Sequence, residues 1–338
     1  MRQILGLMIF LLTLVDIANA QNQQSTLFDS LIDASIILSE QALFDANFKE
    51  AERYVDVSHF KEFRPFQDNH QLKLTIQYLR IQSFKNILYQ QSSSRDKTLH
   101  TLLNLKPIAK NVNDKNILGD YYILLSSGYQ STGTTDSASY FQNQAIKLYK
   151  EAGNLKKVAQ VRGSQISKKH NNLQAAGETE KVLQLIPEYE KEIEFASQCD
   201  NKYVLAYNTR HLGQIYRQQT SNYDEAMRLF QISLELREEI GFKLFLPASY
   251  SSIGDVALKM GQIKKTIEMY LQSIALAEQI GFVRYQFHPR IKLGDIYKNK
   301  GDYEEAKQYY IEALRVASTS SYEEGIDSAL QKLENLIN

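Results

Sequence analysis

Apolar residues recur along most of this chain at the three- and four-residue spacing of amphipathic helices. The pattern runs through residues 72–89, 99–112 and 179–197, and it indicates helices that each bury one face. Pro107 and Pro187 interrupt two of these runs, so we expect helices to kink or end there. Near the end of the chain, Ile326, Leu330, Leu333 and Ile337 are predicted to form one face of a closing helix. The pattern therefore predicts an all-α fold.

One segment is repeated three times in the C-terminal half. It reads LGQIY at residues 212–216, IGDVA at 253–257 and LGDIY at 293–297, and its glycines are Gly213, Gly254 and Gly294. The steps between these glycines are 41 and 40 residues. A unit that recurs in this way packs against its neighbours to bury its apolar face. The repetition predicts an array of helices, and we expect the stacked units to form a binding surface.

Each copy continues with two small residues seven positions apart and an aromatic residue between them. The small pairs are Ala226 and Ser233, Thr266 and Ser273, and Ala306 and Ala313, and the aromatic residues are Phe230, Tyr270 and Tyr310. Small residues at this spacing lie on one helix face and allow a second helix to approach closely. Each copy is therefore predicted to be a pair of packed antiparallel helices.

Turn residues separate the predicted helices. Gly301 is placed to end a helix, and Asp302 with Glu305 has the spacing of a capping box for the next one. Asn222 and Glu225 have the same spacing in the first copy, where the turn is one residue longer. The second helices end at Gly241 and Gly281, and Pro247 and Pro289 are expected near the start of the helices that follow.

These motifs resemble the tetratricopeptide repeat family, over residues 203–322. The resemblance implies a right-handed superhelical solenoid of antiparallel helix pairs. The usual period of the family is about 34 residues, so a period of about 40 implies longer helices, as in regulatory members that bind peptides or partner proteins. The predicted organisation is three clear repeats at 201–322 and a capping helix at 323–338.

Weaker copies of the unit precede these repeats. Ser126, Ala138, Ala145 and Gly153 reproduce the steps of 12, 7 and 8 residues seen from Gly254 to Gly281. We therefore expect divergent repeats at 116–200. Ala51 and Ser58, seven apart after a turn at Ala46, resemble a further second helix within degenerate repeats at 21–115.

The first twenty residues have the pattern of a secretory signal peptide. Arg2 precedes an apolar run from residue 4 to 15, and Ala18-Asn19-Ala20 has the form of a cleavage site. A buried N-terminal helix and an uncleaved membrane anchor are the alternatives. With cleavage near Gln21, no other segment has the apolar length of a transmembrane helix. The expected location is the periplasm or the extracellular space.

The charge balance and the histidines give no sign of nucleic-acid binding, metal binding or catalysis. The chain has 39 basic and 39 acidic residues, so no electrostatic feature favours a nucleic acid as partner. Its six histidines are scattered, with no pair four apart on a helix for zinc. The single Cys199 excludes an intramolecular disulfide and is expected to be buried. Ser94 and Lys97 match a serine-x-x-lysine motif without its companion motifs, and we interpret this as chance. We predict no catalytic residue, no metal and no cofactor.

The family resemblance also implies where a partner binds. In such arrays the first helix of each pair lines a concave groove, and the exposed positions here are Tyr207, Arg210, Gln214, Arg217, Ser251, Asp255, Lys259, His288, Asp295, Lys298 and Asn299. Mixed charge and hydrogen-bonding capacity suit an extended peptide or a partner helix. The chaperone-binding members of the family bind a terminal carboxylate with lysines and asparagines. Asp255 and Asp295 occupy comparable places here and argue against that ligand.

The sequence thus predicts an exported, non-catalytic repeat protein that binds a protein or peptide partner. It also resembles the sensing half of bacterial signalling receptors, and we expect either a free-standing binding protein or a sensor half in association with a membrane receptor. The alternative is a scaffold or accessory subunit of an envelope enzyme or assembly complex.

Overall fold

A computed structural model describes residues 21–61, 66–89 and 95–337 of the chain. The expected signal peptide and Ser94 lie outside the described residues. The described residues divide into two compact units: 21–61, 66–85 and 95–153 form the first, and 86–89 with 154–337 form the second. The finer repeat boundaries expected from the sequence stay predictions.

The first unit contains seven helices in the described chain. They are α1 (Gln21–Phe44), α2 (Phe48–Tyr54), α3 (Asp68–Tyr89), α4 (Arg95–Asn104), α5 (Lys106–Ala109), α6 (Lys115–Ser131) and α7 (Thr135–Glu151), with a short 3-10 helix at Val57–His59. Leu72, Leu102 and Leu125 belong to its core. Ser126, Ala138 and Ala145 are buried, and Gly153 has a positive φ of 69°. The divergent copy is therefore a helix pair formed by α6 and α7.

Two sequence expectations in this unit have different outcomes. Pro107 lies in the first turn of α5 after α4 has ended at Asn104, which confirms a helix end at this proline. Ser58, in contrast, was expected on a second helix with Ala51, and this is wrong. Helix α2 ends at Tyr54, and Oδ1 of Asp56 accepts hydrogen bonds from the backbone N–H and the hydroxyl of Ser58 at 2.9 and 2.7 Å. These local bonds compete with helix continuation.

The second unit continues as alternating first and second helices. The first helices are α8 (Leu155–Ala175), α11 (Lys202–Ile215), α13 (Leu246–Lys259), α15 (Val283–Asn299) and α17 (Glu323–Ile337). The second helices are α10 (Ile186–Gln198), α12 (Tyr223–Glu239), α14 (Ile263–Ile280) and α16 (Tyr303–Thr319), and the short α9 (Thr179–Leu183) precedes α10. Pro187 lies in the first turn of α10. Each helix packs against the next in this order, which confirms the all-α fold of antiparallel helix pairs.

The repeated glycines and small residues are explained by helix contacts. A Cβ built on Gly254 would lie 2.7 Å from Cε1 of Tyr270, and one on Gly213 would lie 3.0 Å from Cε1 of Phe230. The aromatic ring of each second helix therefore rests on the glycine of the first. All six small residues of the repeated pairs are buried, and the hydroxyl of Ser273 donates to the carbonyl of Pro247 at 2.9 Å.

The predicted turn chemistry is also confirmed. Gly241, Gly281 and Gly301 have φ values of 66°, 73° and 80°, the left-handed conformation that ends a helix. Oδ1 of Asp302 accepts from the N–H of Glu305 at 3.3 Å, and Asn222 caps α12 in the same way. The longer turn of the first copy contains a π-helical turn, Tyr216–Thr220.

Pro289 was expected near the start of a helix, and this is wrong. Helix α15 begins at Val283, so Pro289 lies inside it. The helix begins early because Phe282, directly after the stop glycine, is buried and its N–H donates to the carbonyl of Ala277 at 2.8 Å. The guanidinium of Arg290 donates to the carbonyl of Gln286 at 2.6 Å, within the same helix as the proline.

The closing helix is also slightly different from its prediction. Ile326, Ala329, Leu333 and Leu336 pack against the core of the last repeat, whereas Leu330 is 43% exposed. These residues are three, four and three positions apart, so they form one helix face that is rotated from the predicted face toward Ala329 and Leu336. The expectation that Leu330 belongs to the buried face is therefore wrong.

Candidate binding surface

Ten of the eleven predicted groove residues lie on three neighbouring first helices of the second unit, and Arg217 follows the first of these helices. Tyr207, Arg210 and Gln214 lie on α11 and Arg217 in the π-helical turn after it; Ser251, Asp255 and Lys259 lie on α13; His288, Asp295, Lys298 and Asn299 lie on α15. All are half-buried or exposed. We call the surface formed by these residues the A-helix face.

An ion pair joins α11 to α13 on this face. The guanidinium of Arg217 contacts Oδ2 of Asp255, and the hydroxyl of Tyr270 donates to Oδ1 of the same carboxylate at 2.8 Å. Burial, followed by the charge of Asp255, raises the pKa of Tyr270, so its hydroxyl stays a donor. Arg217 and Asp255 therefore hold each other in place and are not both free for a ligand.

The same arrangement recurs between α15 and the closing helix. Tyr310 donates to Oδ1 of Asp295 at 2.8 Å, and Nζ of Lys332 lies 2.6 Å from the same oxygen. Nζ of Lys298 donates to the carbonyl of Asn335 at 2.8 Å. The closing helix thus serves as the first helix of a further half-repeat.

A polar cleft of about 440 Å³ lies at this end of the face. It is lined by Asp295, Lys298, Asn299, Tyr310, Gln331, Lys332 and Asn335. Three of these are predicted groove residues. Carboxamide and ammonium groups predominate in the lining, and such groups can pair with the carbonyl and N–H groups of an extended peptide.

The opposite end of the face is more enclosed. The hydroxyl of Tyr207 lies 2.9 Å from Oγ of Ser167 on α8, and its ring centroid lies 4.6 Å from that of His211. Beneath it, Asn208 is completely buried, and neither atom of its carboxamide has a hydrogen-bond partner. Nδ1 of buried His211 is likewise unpaired. Burial, with the nearby cations Arg210 and Arg237 and with His170, holds the pKa of His211 well below its usual value.

The remaining predicted residues are open to a ligand. They are Gln214 and Ser251, which are half-buried, and Lys259, His288 and Asn299, which are exposed. Within the described chain, no hydrogen bond or ion pair engages these five side chains. They are the groups that a partner could contact without breaking an existing bond.

Several residues near this surface were not predicted from the sequence. Lys332 lies 37 residues after Asp295, almost the interval from Arg217 to Asp255, and that interval could have identified it. Asn208 and His211 occupy buried positions that Ser249 and Ser252 take in the next copy. The sequence signal that could have identified Asn208 and His211 was a buried position whose polar residue differs between the copies.

No group of three or more metal-ligating side chains is found among the residues described. Cys199, which was expected to be buried, is half-buried because it caps the end of α10. In the described ranges, no helix is long and apolar enough to cross a membrane.

Sequence comparison places the repeats in a known family. Residues 203–279 and 289–320 match the tetratricopeptide repeat. The second unit therefore contains tetratricopeptide repeats. The matched ranges cover α11 to α14 and most of α15 and α16, so the A-helix face lies almost entirely within the repeats. No curated protein matches the chain at a significant level of sequence similarity.

Two solved structures have similar folds. One is a signal transduction ATPase with numerous domains, with a tetratricopeptide repeat sensor, from Pyrococcus horikoshii: the TM-score is 0.56 at 12% identity, covering 94% of this chain and 50% of that one. The other is a Rap protein complexed with competence and sporulation factor: the TM-score is 0.50 at 13% identity, covering 90% of this chain and 97% of that one. At these identities the likeness concerns the fold alone.

Proposed function

We propose that this protein is an exported, non-catalytic binding module that takes up a protein or peptide partner through the concave side of its first helices. The observation that carries the proposal is the A-helix face. The ion pairs Arg217–Asp255 and Lys332–Asp295 join neighbouring helices on this face. The same face carries the five open side chains and the polar cleft of about 440 Å³. A surface of this kind suits an extended peptide, whose backbone offers donors and acceptors at regular intervals.

A sensing role in signalling fits this proposal. The Rap structure contains the competence and sporulation factor, and the Pyrococcus horikoshii protein has a tetratricopeptide repeat sensor. By analogy of fold alone, the bound partner here is a signal that changes the state of another component. Association with a membrane receptor or envelope complex belongs to the same proposal.

Export follows from the signal-peptide pattern of residues 1–20. N-terminal sequencing of the protein recovered from cell fractions tests it. We expect a mature chain that begins near Gln21 in the extracytoplasmic fraction. An intact Met1 on protein confined to the cytosol would contradict export without affecting the binding proposal.

Binding is tested with a library of acetylated, amidated decapeptides selected on the wild-type protein. The selected peptides are then measured on Lys259→Ala/Lys298→Ala, which removes two charges from the A-helix face. The matched control is Lys264→Ala/Lys307→Ala, two exposed lysines on the second helices α14 and α16. We expect weaker binding to the first variant only, with equal helicity in both.

Two results would contradict the proposal. The first is that no peptide in the library is bound by the wild-type protein. The second is that both double variants lose binding equally, which would place the contact away from the A-helix face.

A further inference from the structure

Two arginines near the enclosed end of the A-helix face have no carboxylate partner within the described residues. Arg237, on α12, is 5% exposed; its Nη1 donates to the carbonyl of Phe245 at 3.1 Å and to Oγ of Ser249 at 2.7 Å. Arg210, on α11, is half-buried, and its Nε has no acceptor. Both of the bonds that Arg237 makes are to neutral groups, so its charge is not compensated.

The other buried or half-buried arginines described in this unit are neutralised by acids. Buried Arg290 contacts Glu278 and lies 3.0 Å from Glu312. Arg162 lies 2.6 Å from Glu192, and Arg217 pairs with Asp255. A buried cation without a counter-charge is unfavourable, so Arg210 and Arg237 stand apart from the pattern of the rest of the unit. The two side chains are close enough that Arg210, after burial, lowers the pKa of Arg237.

Other buried polar groups at this end of the face also lack hydrogen-bond partners. His170 and His211 each have an unpaired ring nitrogen, and the carboxamide of Asn208 is unpaired. The ring of Tyr207 lies 4.6 Å from that of His211, and its hydroxyl lies 2.9 Å from Oγ of Ser167. This end of the face therefore has two cations without a carboxylate partner, and one of them, Arg210, is only half-buried and can meet a ligand.

We propose that Arg210 binds the side-chain carboxylate of an aspartate or glutamate in the peptide partner, with Arg237 beneath it adding to the attraction. We call Arg210, Arg237 and Tyr207 the arginine corner. The inference rests on the proposed function, because it names the chemistry of one residue in the peptide that the A-helix face receives. The planar guanidinium fork of arginine matches a carboxylate.

The test uses a positional-scanning library of acetylated, amidated decapeptides, so that side chains provide the only carboxylates. For wild-type protein we expect one position at which glutamate or aspartate binds about tenfold or more tightly than glutamine. Raising the salt concentration is expected to reduce this preference, because a half-exposed ion pair is screened.

Variants of Arg210 test whether the preference for an acidic residue comes from the arginine corner. Arg210→Gln is expected to abolish it, and Arg210→Glu is expected to replace it by a preference for lysine at the same position. Arg228→Gln is the matched control, since Arg228 is exposed on α12 and pairs only with Glu225 three residues away. Circular dichroism of each variant confirms that the helices remain. Arg237 is left unchanged because its bonds to Phe245 and Ser249 hold a turn together.

The outcomes separate the two proposals. Peptide binding with no acidic preference at any position would overturn the arginine corner and leave the proposed function in place. An acidic preference that survives both Arg210 variants would also overturn it. An absence of binding by every peptide would overturn the proposed function, and this inference with it.

Discussion

The hydroxyl of Tyr270 donates a 2.8 Å hydrogen bond to Asp255, and these two residues change together between the repeats. The third copy has Tyr310 and Asp295 in the same relationship. The first copy has Phe230 in place of the tyrosine and Gln214 in place of the aspartate. The hydroxyl is thus present where a carboxylate can accept from it, because a buried hydroxyl without a partner is unfavourable.

Removing this hydroxyl is expected to destabilise the protein. Tyr270→Phe should cost about 1.5–3 kcal/mol, the range for a hydrogen bond to a charged group. Urea unfolding measures the loss. Tyr303→Phe is the control, because Tyr303 is 56% exposed and should change stability by less than about 0.5 kcal/mol. Equal effects of the two substitutions would contradict the role of the Asp255 bond.

The glycine of the repeated segment is expected to be intolerant of a methyl group. In a helix interior, Gly→Ala usually stabilises by roughly 0.5–1 kcal/mol. At Gly254 the added Cβ would lie 2.7 Å from the buried ring of Tyr270, so we expect Gly254→Ala to destabilise instead, by about 1–3 kcal/mol through overpacking.

Gly213→Ala provides the comparison. Its Cβ would lie 3.0 Å from the ring of Phe230, so its cost should be smaller. Unfolding free energies of both variants test the order. A Gly254→Ala protein more stable than wild type would show that the ring can move aside.

A similar loss of stability is expected when a small buried residue on a second helix is enlarged. Ala313 is completely buried between helices, and Ala313→Leu should cost about 1–3 kcal/mol because the extra carbons have no space. Lys307→Leu, on the exposed face of the same helix α16, should stay within about 0.5 kcal/mol. A thermal or urea transition shifted equally by both would contradict the assigned faces.

Features that depend on local chain chemistry were predictable from the sequence. Gly301 acts through its backbone conformation and Asp302 through a hydrogen bond within the same turn, so the local sequence was enough to predict this turn. Pro289 was misplaced because the start of α15 is set by the packing of Phe282, whose ring contacts Phe245 of the preceding repeat. Arg237 was missed because it is buried against Phe245 and Ser249, and nothing in its neighbours along the chain distinguishes it from an exposed arginine such as Arg228.

Stability is expected to fall as the pH is lowered from about 7 to 5, partly because of His211. Burial, then the charges of Arg210, His170 and Arg237, holds the folded pKa of His211 well below the ordinary value of 6.5. The unfolded chain therefore binds a proton in this range that the folded protein excludes, and acid favours unfolding. Burial also lowers the pKa of His170, so His211→Phe should flatten the dependence without abolishing it. Urea unfolding at pH 7.5, 6.5 and 5.5 measures both proteins, with His59→Phe, an exposed histidine, as control. A slope in His211→Phe equal to that of wild type would show that His211 is not protonated on unfolding.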